Sequence, residues 1–418
     1  MIGQQGKPLP ISSVLGPRDS HLPFALPDIT DEEIQAVTAV LRSGWITTGP
    51  ETKAFEQEFA RYIGVGHAVA LNSCTAALHL ALEALGVTES DEVLTSTITF
   101  TATAEVVEYL GGRSRFIDVE RDTLNLSPDR VRETIERQYD WRDGFWRHRE
   151  TGGRLRAIVP VHYGGHPCDM EALLAIAAEY ELKVVDDAAH SLPASIGGRR
   201  IGAMGCPTAF SFYATKTLTT AEGGMFCTDD DSLADRVRLM SLHGISRDAW
   251  KRYAADGSWF YEVVEAGYKY NLTDIAAALG RVQLRRVEAM RDRRQAIAAY
   301  YSTELASVPE IEVPLIRAGV EHAWHLYPVR LNLDRLSIDR GRFMEELRRQ
   351  QIGASVHFIP LHTQPFYRHR YGYRTGDFPV AQAEYPRLVS LPIYSRMSDE
   401  DVETVVTAMR DVVDRSRR

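Results

Sequence analysis

The chain has 418 residues, of which 44% are hydrophobic and 25% charged, and this composition is typical of a globular protein. Its length exceeds the size at which one hydrophobic core usually suffices. Its formal net charge of −9 argues against nucleic-acid binding, since that affinity comes from Lys and Arg placed beside phosphates. No apolar run approaches the roughly 20 residues that span a bilayer, and the N-terminus lacks the apolar segment of a secretory signal, so we expect no membrane association.

The four cysteines are far apart in the sequence and lack the paired spacing of a zinc site or a redox pair. They are Cys74, Cys168, Cys206 and Cys227. We interpret them as reduced thiols, and therefore expect a cytoplasmic protein without a bound metal.

The first predicted helix follows a polar N-terminal arm that contains Pro and Gly. Its sequence is "TDEEIQAVTAVLRSG", in which Thr30 can cap the helix and Glu33 completes a capping box. Ser43 and Gly44 end it.

From residue 68 onward, short apolar runs alternate with amphipathic stretches, which predicts an α/β fold with a mostly parallel sheet covered by helices. Two further strands, "TAFSFYA" and "GMFCTD", follow close together. The charged and aromatic stretch 138–153 has no clear period, and we interpret it as a surface insertion.

A long helical pattern, "LTDIAAALGRVQLRRVEAMRDRRQAIAAYYSTELA", leads into a second region with mixed strand and helix patterns. We therefore predict an N-terminal arm at 1–24, a large domain at 25–280 and a smaller C-terminal α+β domain at 281–418.

One polar cluster lies between a predicted strand and a helix start, in "LNSCTAALHL". It comprises Asn72, Ser73, Cys74 and Thr75. Amide hydrogens and hydroxyls at a helix start, helped by the helix dipole, can surround a phosphate. The alternative is ordinary helix capping.

A second polar cluster ends the strand in "KVVDDAAHS". Strand alternation sends Asp186 and Asp187 to opposite faces, so that only one of them can readily serve a given site. A helix cap is the alternative for these acids, and a hydrogen-bonded structural histidine is the alternative for His190.

Lys216 follows the strand "TAFSFYA", and Ser211 lies five positions earlier. A partly desolvated lysine loses pKa and becomes able to form a Schiff base, whereas an ordinary lysine is solvated. A phosphate site, a carboxylate at a strand end and such a lysine are together the protein groups that pyridoxal 5′-phosphate (PLP) requires.

These motifs resemble the DegT/DnrJ/EryC1/StrS-type sugar-nucleotide aminotransferases, which are PLP enzymes of the aspartate aminotransferase fold, fold type I. The shared motifs run in family order over nearly the whole chain and include "SGWITTGP", "PVHYGGHPCDM", "VVDDAAHS", "FSFYATKTLTTAEGG" and "GYKYNLTDIAAALGRVQL". "SGWITTGP", "HGISRDAW" and "GYKYNLTDI" are most similar to the branch that aminates a UDP-linked 4-keto pentose for aminoarabinose. Two residues depart from the family pattern: Cys74 stands where family members often have Gly, Ser or Ala, and Asp186 stands where they often have Glu.

The resemblance implies that Lys216 binds PLP covalently and that Asp187 pairs with the pyridine nitrogen. It implies that Phe100 stacks on the cofactor ring, although Phe100 could equally be a core residue, and that His190 lies near the phenolic oxygen. The phosphate contacts implied are Ser73, Cys74, Thr75 and Ser211.

The resemblance also implies a homodimer with shared active sites, in which Lys269 and Asn271 reach the neighbouring subunit's phosphate. For the substrate we expect Thr47, Thr48 and Tyr163 to bind hydroxyls, and His357 to meet the sugar or its pyrophosphate. Each of these four could instead make a local structural contact.

The expected reaction moves the amino group of L-glutamate onto the keto carbon of a nucleotide-linked sugar, with C4 favoured over C3. The alternative is the related sugar-nucleotide dehydratase, in which histidine replaces the cofactor lysine. Lys216 therefore favours transfer over dehydration.

Overall fold

The computed structural model describes residues 21–245 and 261–418. Within these residues the helices are α1 (Asp31–Ser43), α2 (Pro50–Ile63), α3 (Cys74–Ala84), α4 (Ala102–Tyr109), α5 (Pro128–Gln138), α6 (Met170–Glu179), α7 (Asp231–Met240), α8 (Asp274–Leu305), α9 (Arg340–Arg349), α10 (Pro365–Tyr371), α11 (Pro379–Glu384) and α12 (Asp399–Ser416). None of these helices is both long enough and apolar enough to cross a membrane.

The strands of the same residues are β1 (His67–Leu71), β2 (Asp91–Ser96), β3 (Arg113–Ile117), β4 (Tyr139–Arg142), β5 (Phe145–His148), β6 (Arg154–Val159), β7 (Lys183–Val184), β8 (Asp186–Asp187), β9 (Ser195–Ile196), β10 (Arg199–Arg200), β11 (Thr208–Ser211), β12 (Gly224–Thr228), β13 (Ile311–Glu312), β14 (Val320–Glu321), β15 (Tyr327–Leu331) and β16 (Leu388–Leu391).

The central sheet has the order β3-β2-β6-β7/β8-β11-β12-β1, with a bridge between Val161 and Asp187 joining its two halves. Every neighbouring pair is parallel except those that β12 makes. The predicted mostly parallel sheet is therefore confirmed. Because β1, β8 and β11 run in the same direction, their carboxyl ends meet at one edge, where ligands bind in open α/β sheets.

The stretch predicted as a surface insertion is a β-hairpin. β4 and β5 pair antiparallel with Trp141 opposite Trp146, and Arg147 pairs with Arg154 at the beginning of β6. The two indoles meet edge to face, with their centroids 5.6 Å apart. This cross-strand aromatic contact stabilises the pairing of β4 with β5, which the alternation of apolar and polar residues along the sequence does not reveal.

A smaller antiparallel sheet, β13-β15-β16, packs with α9 and α12 in the C-terminal region. α8 contributes Val287 to the core beside the central sheet and Tyr301 to the core of this smaller region. The predicted boundary between 280 and 281 falls within α8 and stays a prediction. The predicted arm lies mostly outside the described residues, and Leu22 at its end bridges to Ile352 of the smaller region.

The first helix begins as the sequence predicts. Thr30 caps α1, and its backbone N–H donates to the Glu33 carboxylate at 2.8 Å, which is half of the predicted capping box. Gly44 ends the helix with a φ of 77°, a left-handed conformation that glycine adopts without a Cβ penalty.

Candidate active site

Lys216 lies in a turn after β11, where its N–H donates to the Tyr213 carbonyl at 2.9 Å. The residue is half-buried, but its Nζ is enclosed by other side chains and lies 3.4 Å from His325 Nε2. Burial lowers the pKa of Lys216 to about 8, although nearby Cys74 and Asp187 favour the ammonium form. A substantial fraction of the amine is therefore neutral and nucleophilic near physiological pH.

Asp187 ends β8 and is only 3% exposed. One carboxylate oxygen accepts a hydrogen bond from Thr103 Oγ1 at 2.7 Å, and the other accepts from the Ala189 N–H at 3.1 Å. Burial raises the pKa of Asp187, while these two donors and the Lys216 ammonium oppose that rise. The carboxylate is thus fixed in direction and held close to a cation.

Asp186 points to the opposite face of β8, as strand alternation requires. Its Oδ1 lies 2.7 Å from His162 Nε2, and both side chains are fully buried. Of the two adjacent acids, Asp187 is therefore the one that shares a site with Lys216.

The cluster after β1 forms the beginning of α3. Ser73 is the N-cap residue, and its Oγ accepts from the Ala76 N–H at 3.0 Å. Thr75 is half-buried, whereas the Cys74 thiol points into the core toward the Ala209 carbonyl, 3.6 Å away. Ser73 thus makes the ordinary helix cap. The positive end of the α3 dipole still faces the carboxyl ends of the strands.

Gly224, the first residue of β12, passes very close to this helix start. A Cβ added there would lie 2.4 Å from the Ser73 carbonyl carbon and 2.5 Å from the Cys74 nitrogen, both of them backbone atoms. Only glycine permits this close approach. Because Gly224 pairs with Ser211 at the end of β11, the sequence "EGG" determines how near β11 lies to the phosphate-type cluster, by which we mean Asn72, Ser73, Cys74 and Thr75.

Phe100 is 58% exposed, which is unusual for a phenylalanine, and its ring centroid lies 6.0 Å from that of Phe358. It stands two residues before α4, the helix that carries Thr103 to Asp187. An exposed aromatic face, a carboxylate, an amine and a helix start around one space match the ring, ring nitrogen, aldehyde and phosphate of PLP. The residues present therefore fit that cofactor.

His190 is 6% exposed, and its Nδ1 accepts a hydrogen bond from the Gly164 N–H at 3.2 Å. Its ring centroid lies 4.4 Å from that of His325. Burial and the nearby Lys216 hold the pKa of His190 well below its usual range, so this ring is neutral.

Lys269 and Asn271 lie beside the end of β1. Asn72 donates its amide N–H to the Lys269 carbonyl at 3.4 Å, and Lys269 Nζ donates to Asn271 Oδ1. Asn271 in turn donates to Thr48 Oγ1 at 2.6 Å, while Thr47 next to it is exposed. The structure thus brings these four predicted residues together on the outer side of the phosphate-type cluster.

Tyr163 and His357 meet each other. The Tyr163 hydroxyl donates to the His357 carbonyl, so it has only lone pairs left for a sugar hydroxyl. The His357 Nδ1 lies 2.9 Å from Ser390 Oγ, and its ring stacks on Phe24. Burial lowers the pKa of His357 to about 4, and the Lys216 charge contributes.

Three residues of this site were not found in the sequence: Thr103, His325 and Phe358. Thr103 could have been found, because it lies three residues after Phe100 at a helix start. His325 and Phe358 carry no local signal, since they reach the site from segments more than 100 residues after Lys216.

Comparison with known proteins places this site in a family. A family model described as the DegT/DnrJ/EryC1/StrS aminotransferase family matches residues 27–410. The uncharacterized protein MJ1066 of Methanocaldococcus jannaschii is 48% identical over 400 residues, covering 96% of this chain and 100% of that protein. The spore coat polysaccharide biosynthesis protein SpsC of Bacillus subtilis is 45% identical over 397 residues, covering 95% and 98%.

Solved structures show the same likeness. Spr1654 from Streptococcus pneumoniae, assigned as a sugar aminotransferase, matches in its PLP form with a TM-score of 0.84 and 31% identity, covering 94% of this chain and 99% of that one. Its PMP form matches with the same TM-score and identity. The predicted fold of PLP-dependent aminotransferases is confirmed by this match.

Proposed function

Since the chain belongs to the DegT/DnrJ/EryC1/StrS aminotransferase family and is a PLP-dependent sugar aminotransferase, we propose that it transfers the amino group of L-glutamate to C4 of a nucleotide-linked keto sugar. The observation that carries this proposal is the enclosed Lys216 amine beside the fixed Asp187 carboxylate. An amine that can both take and return a proton is what amino transfer requires.

Each residue of the site has a defined task. When bound, PLP supplies an electron-accepting ring that stabilises negative charge on the carbon attached to the transferred nitrogen. Asp187 would keep a proton on the ring nitrogen, and Thr103 orients its carboxylate. Lys216 would hold the aldehyde end of PLP, and its Nζ, once free, would accept a proton and return it.

The remaining site residues bind and orient. Ser73, Cys74, Thr75 and Ser211 offer amides and hydroxyls near the positive end of α3, which favours the phosphate. Phe100 would offer its exposed aromatic face to the ring, and the neutral His190 would lie near the phenolic oxygen without adding a cation.

Three features support a nucleotide-linked sugar as the acceptor. His357 brings polar atoms from the C-terminal region to Tyr163. The relative SpsC is named for polysaccharide biosynthesis, which consumes sugars carrying a good leaving group. The motifs "SGWITTGP" and "GYKYNLTDI" resemble the branch that aminates C4 of a keto sugar.

We further propose a cytoplasmic homodimer in which Lys269 and Asn271 complete the partner's phosphate site. A cleft of ≈ 940 Å³ adjoins Asn271 and is lined by Trp45, Lys53 and Arg238 among others, which gives a second copy room to dock. The four cysteines are buried free thiols, as a reducing compartment allows.

The proposal is tested by incubating the purified protein with L-glutamate and a panel of keto sugar nucleotides, and by identifying products with NMR. We expect 2-oxoglutarate and a sugar aminated at C4, and neither product from K216A. Amination at C3 would overturn the regiochemistry, and loss of water from the sugar without amination would identify a dehydratase instead.

A further inference from the structure

His325 is a buried residue that the reaction described above does not use. It lies between β14 and β15, is 7% exposed, and places its Nε2 3.4 Å from Lys216 Nζ. In the described part of the chain its Nδ1 is buried without a hydrogen-bond partner. Within residues 21–245 and 261–418, the hydrogen-bond partner of this imidazole is therefore the Lys216 amine, on which the proposed chemistry depends.

Arg294 of α8 holds the segment that carries His325. This guanidinium is 3% exposed and donates through Nη1 to the carbonyls of Trp324 at 3.1 Å, His325 at 3.5 Å and Ile393 at 2.7 Å. A buried cation is costly unless hydrogen bonds offset its loss of water, and here three carbonyl oxygens share Nη1, while Nε has no partner among the described residues. The position of His325 is thus tied to the long helix that runs through both cores.

The backbone next to His325 is also constrained. Trp324 has a φ of 50°, a conformation that bulky residues adopt only when their surroundings enforce it. Its N–H donates to His322 Nδ1 at 2.7 Å, and its indole N–H donates to Gln295 Oε1 at 2.7 Å. These contacts fix the residue that immediately precedes His325.

We propose that His325 is a positioning residue for Lys216, accepting a hydrogen bond at Nε2 from the lysine ammonium and so fixing the direction of Nζ, while Arg294 holds the imidazole in place. The His190 ring, 4.4 Å away centroid to centroid, limits rotation on the other side. This role is independent of the amino donor and of the sugar.

The charges around His325 agree with an acceptor role. Burial, followed by the nearby Lys216 ammonium, holds the pKa of His325 well below its usual range, so Lys216 meets a neutral ring. Hydrogen bonding to the charged form favours that form, so His325 opposes the effect of burial on the lysine.

The test measures the amine itself and does not use activity. The full-length protein freed of cofactor is acetylated with trace acetic anhydride at a series of pH values, and the modification of Lys216 is quantified by peptide mass spectrometry. H325L removes the acceptor at similar volume, H325Q keeps an acceptor near the Nε2 position, and H148Q alters a buried histidine of β5, outside the site. The measurement is repeated on the pyridoxamine form, in which the lysine amine is also free.

We expect H325L to lower the apparent pKa of Lys216 by about one unit, because that shift corresponds to the free energy of one charge-assisted hydrogen bond. H325Q and H148Q should both stay close to the unmodified protein. An unchanged or raised pKa in H325L would overturn the proposal, as would an equal fall in H325Q, which would indicate a loss of shape and not of an acceptor. If H325L does not fold by circular dichroism, R294K replaces it and should lower the pKa in the same direction, because the carbonyl contacts are weakened.

Discussion

At the scale of single residues, the site depends on two ionisable groups whose burial has opposite effects. Burial moves the pKa of Lys216 down and that of Asp187 up, so each is driven toward its neutral form. Donors from Thr103 and Ala189 counter this for Asp187, and the nearby Cys74 and Asp187 charges counter it in part for Lys216. The result is a lysine that loses its proton easily beside an acid that its donors help to keep ionised.

The first prediction concerns the two adjacent acids. D187N should lower kcat about a hundredfold, because a preorganised charge at the site is lost, while the protein still folds. D186N is the matched control on the opposite face, and breaking its buried pair with His162 should cost about 3 kcal/mol of stability while leaving kcat per folded molecule unchanged. Steady-state kinetics and thermal melts separate the two, and a D186N variant that lost kcat at full stability would contradict this assignment.

The second prediction concerns Thr103. T103V removes the hydroxyl that donates to Asp187 at 2.7 Å, which should raise the pKa of that carboxyl further and lower kcat about tenfold. T103S keeps the donor and should retain most of the activity. The measurement is kcat against pH for both variants, and equal activities for T103V and T103S would show that this bond has no role.

The third prediction follows from the lysine. As the pH falls below about 8, a growing fraction of the Lys216 amine is protonated and cannot accept a proton, so the rate of 2-oxoglutarate release in a single turnover should rise with pH and level off above about 8. The direction follows because the neutral amine is the active form. Stopped-flow measurement over pH 6 to about 9.5 checks it, with the amino donor saturating at every pH. A rate that falls across this range would contradict Lys216 as the proton acceptor.

At this scale the sequence identified residues that stand at strand ends, because their position follows from local alternation. It could not show which residues from distant segments meet: Thr103 contacts Asp187 across 84 residues, and His325 contacts Lys216 across 109. The sequence also could not show that the Tyr163 hydroxyl would be taken up by the His357 carbonyl. Such contacts depend on tertiary packing and not on local pattern.

At the scale of elements, alternating apolar runs and amphipathic stretches predicted the parallel sheet, because each strand is buried on both faces and each crossover needs a helix. The hairpin β4–β5 was missed, since its charged residues hide the pairing of Trp141 with Trp146. The close approach of β12 to α3 was not predicted either, although the sequence contains the glycine pair that permits it.

The fourth prediction belongs to that approach. G224A places a methyl group against the backbone of Ser73 and Cys74, which cannot move without shifting the beginning of α3. We expect a loss of about 2 kcal/mol or more and weaker PLP binding. G66A is the control, because its Cβ would meet nothing nearer than 3.6 Å. Thermal melts and cofactor titration follow both variants, and normal PLP binding by a destabilised G224A would show that the helix start does not hold the phosphate.

At the scale of the whole molecule, α8 joins the two cores. It carries Val287 beside the central sheet, Arg294 behind His325 and Tyr301 in the smaller core. The composition predicted two domains, and the helical spacing predicted a long helix that leads from one into the other; the structure shows that this helix contributes to both cores. Because Lys216 follows β11 of the central sheet and His325 lies on the segment that Arg294 of α8 holds, their distance depends on how that segment packs on α8.

The fifth prediction tests whether two copies share their sites. If Lys269 serves the partner's cofactor, K216A and K269A should each be inactive alone, but a mixed dimer should contain one intact site. After unfolding and refolding an equal mixture, about a quarter of the normal activity should return, because half of the dimers are mixed and each has one working site of two. If Lys269 serves its own subunit, both sites of the mixed dimer carry a defect and no activity returns. Size-exclusion chromatography of the mixture confirms that dimers have re-formed, so the absence of recovery would argue directly against shared sites.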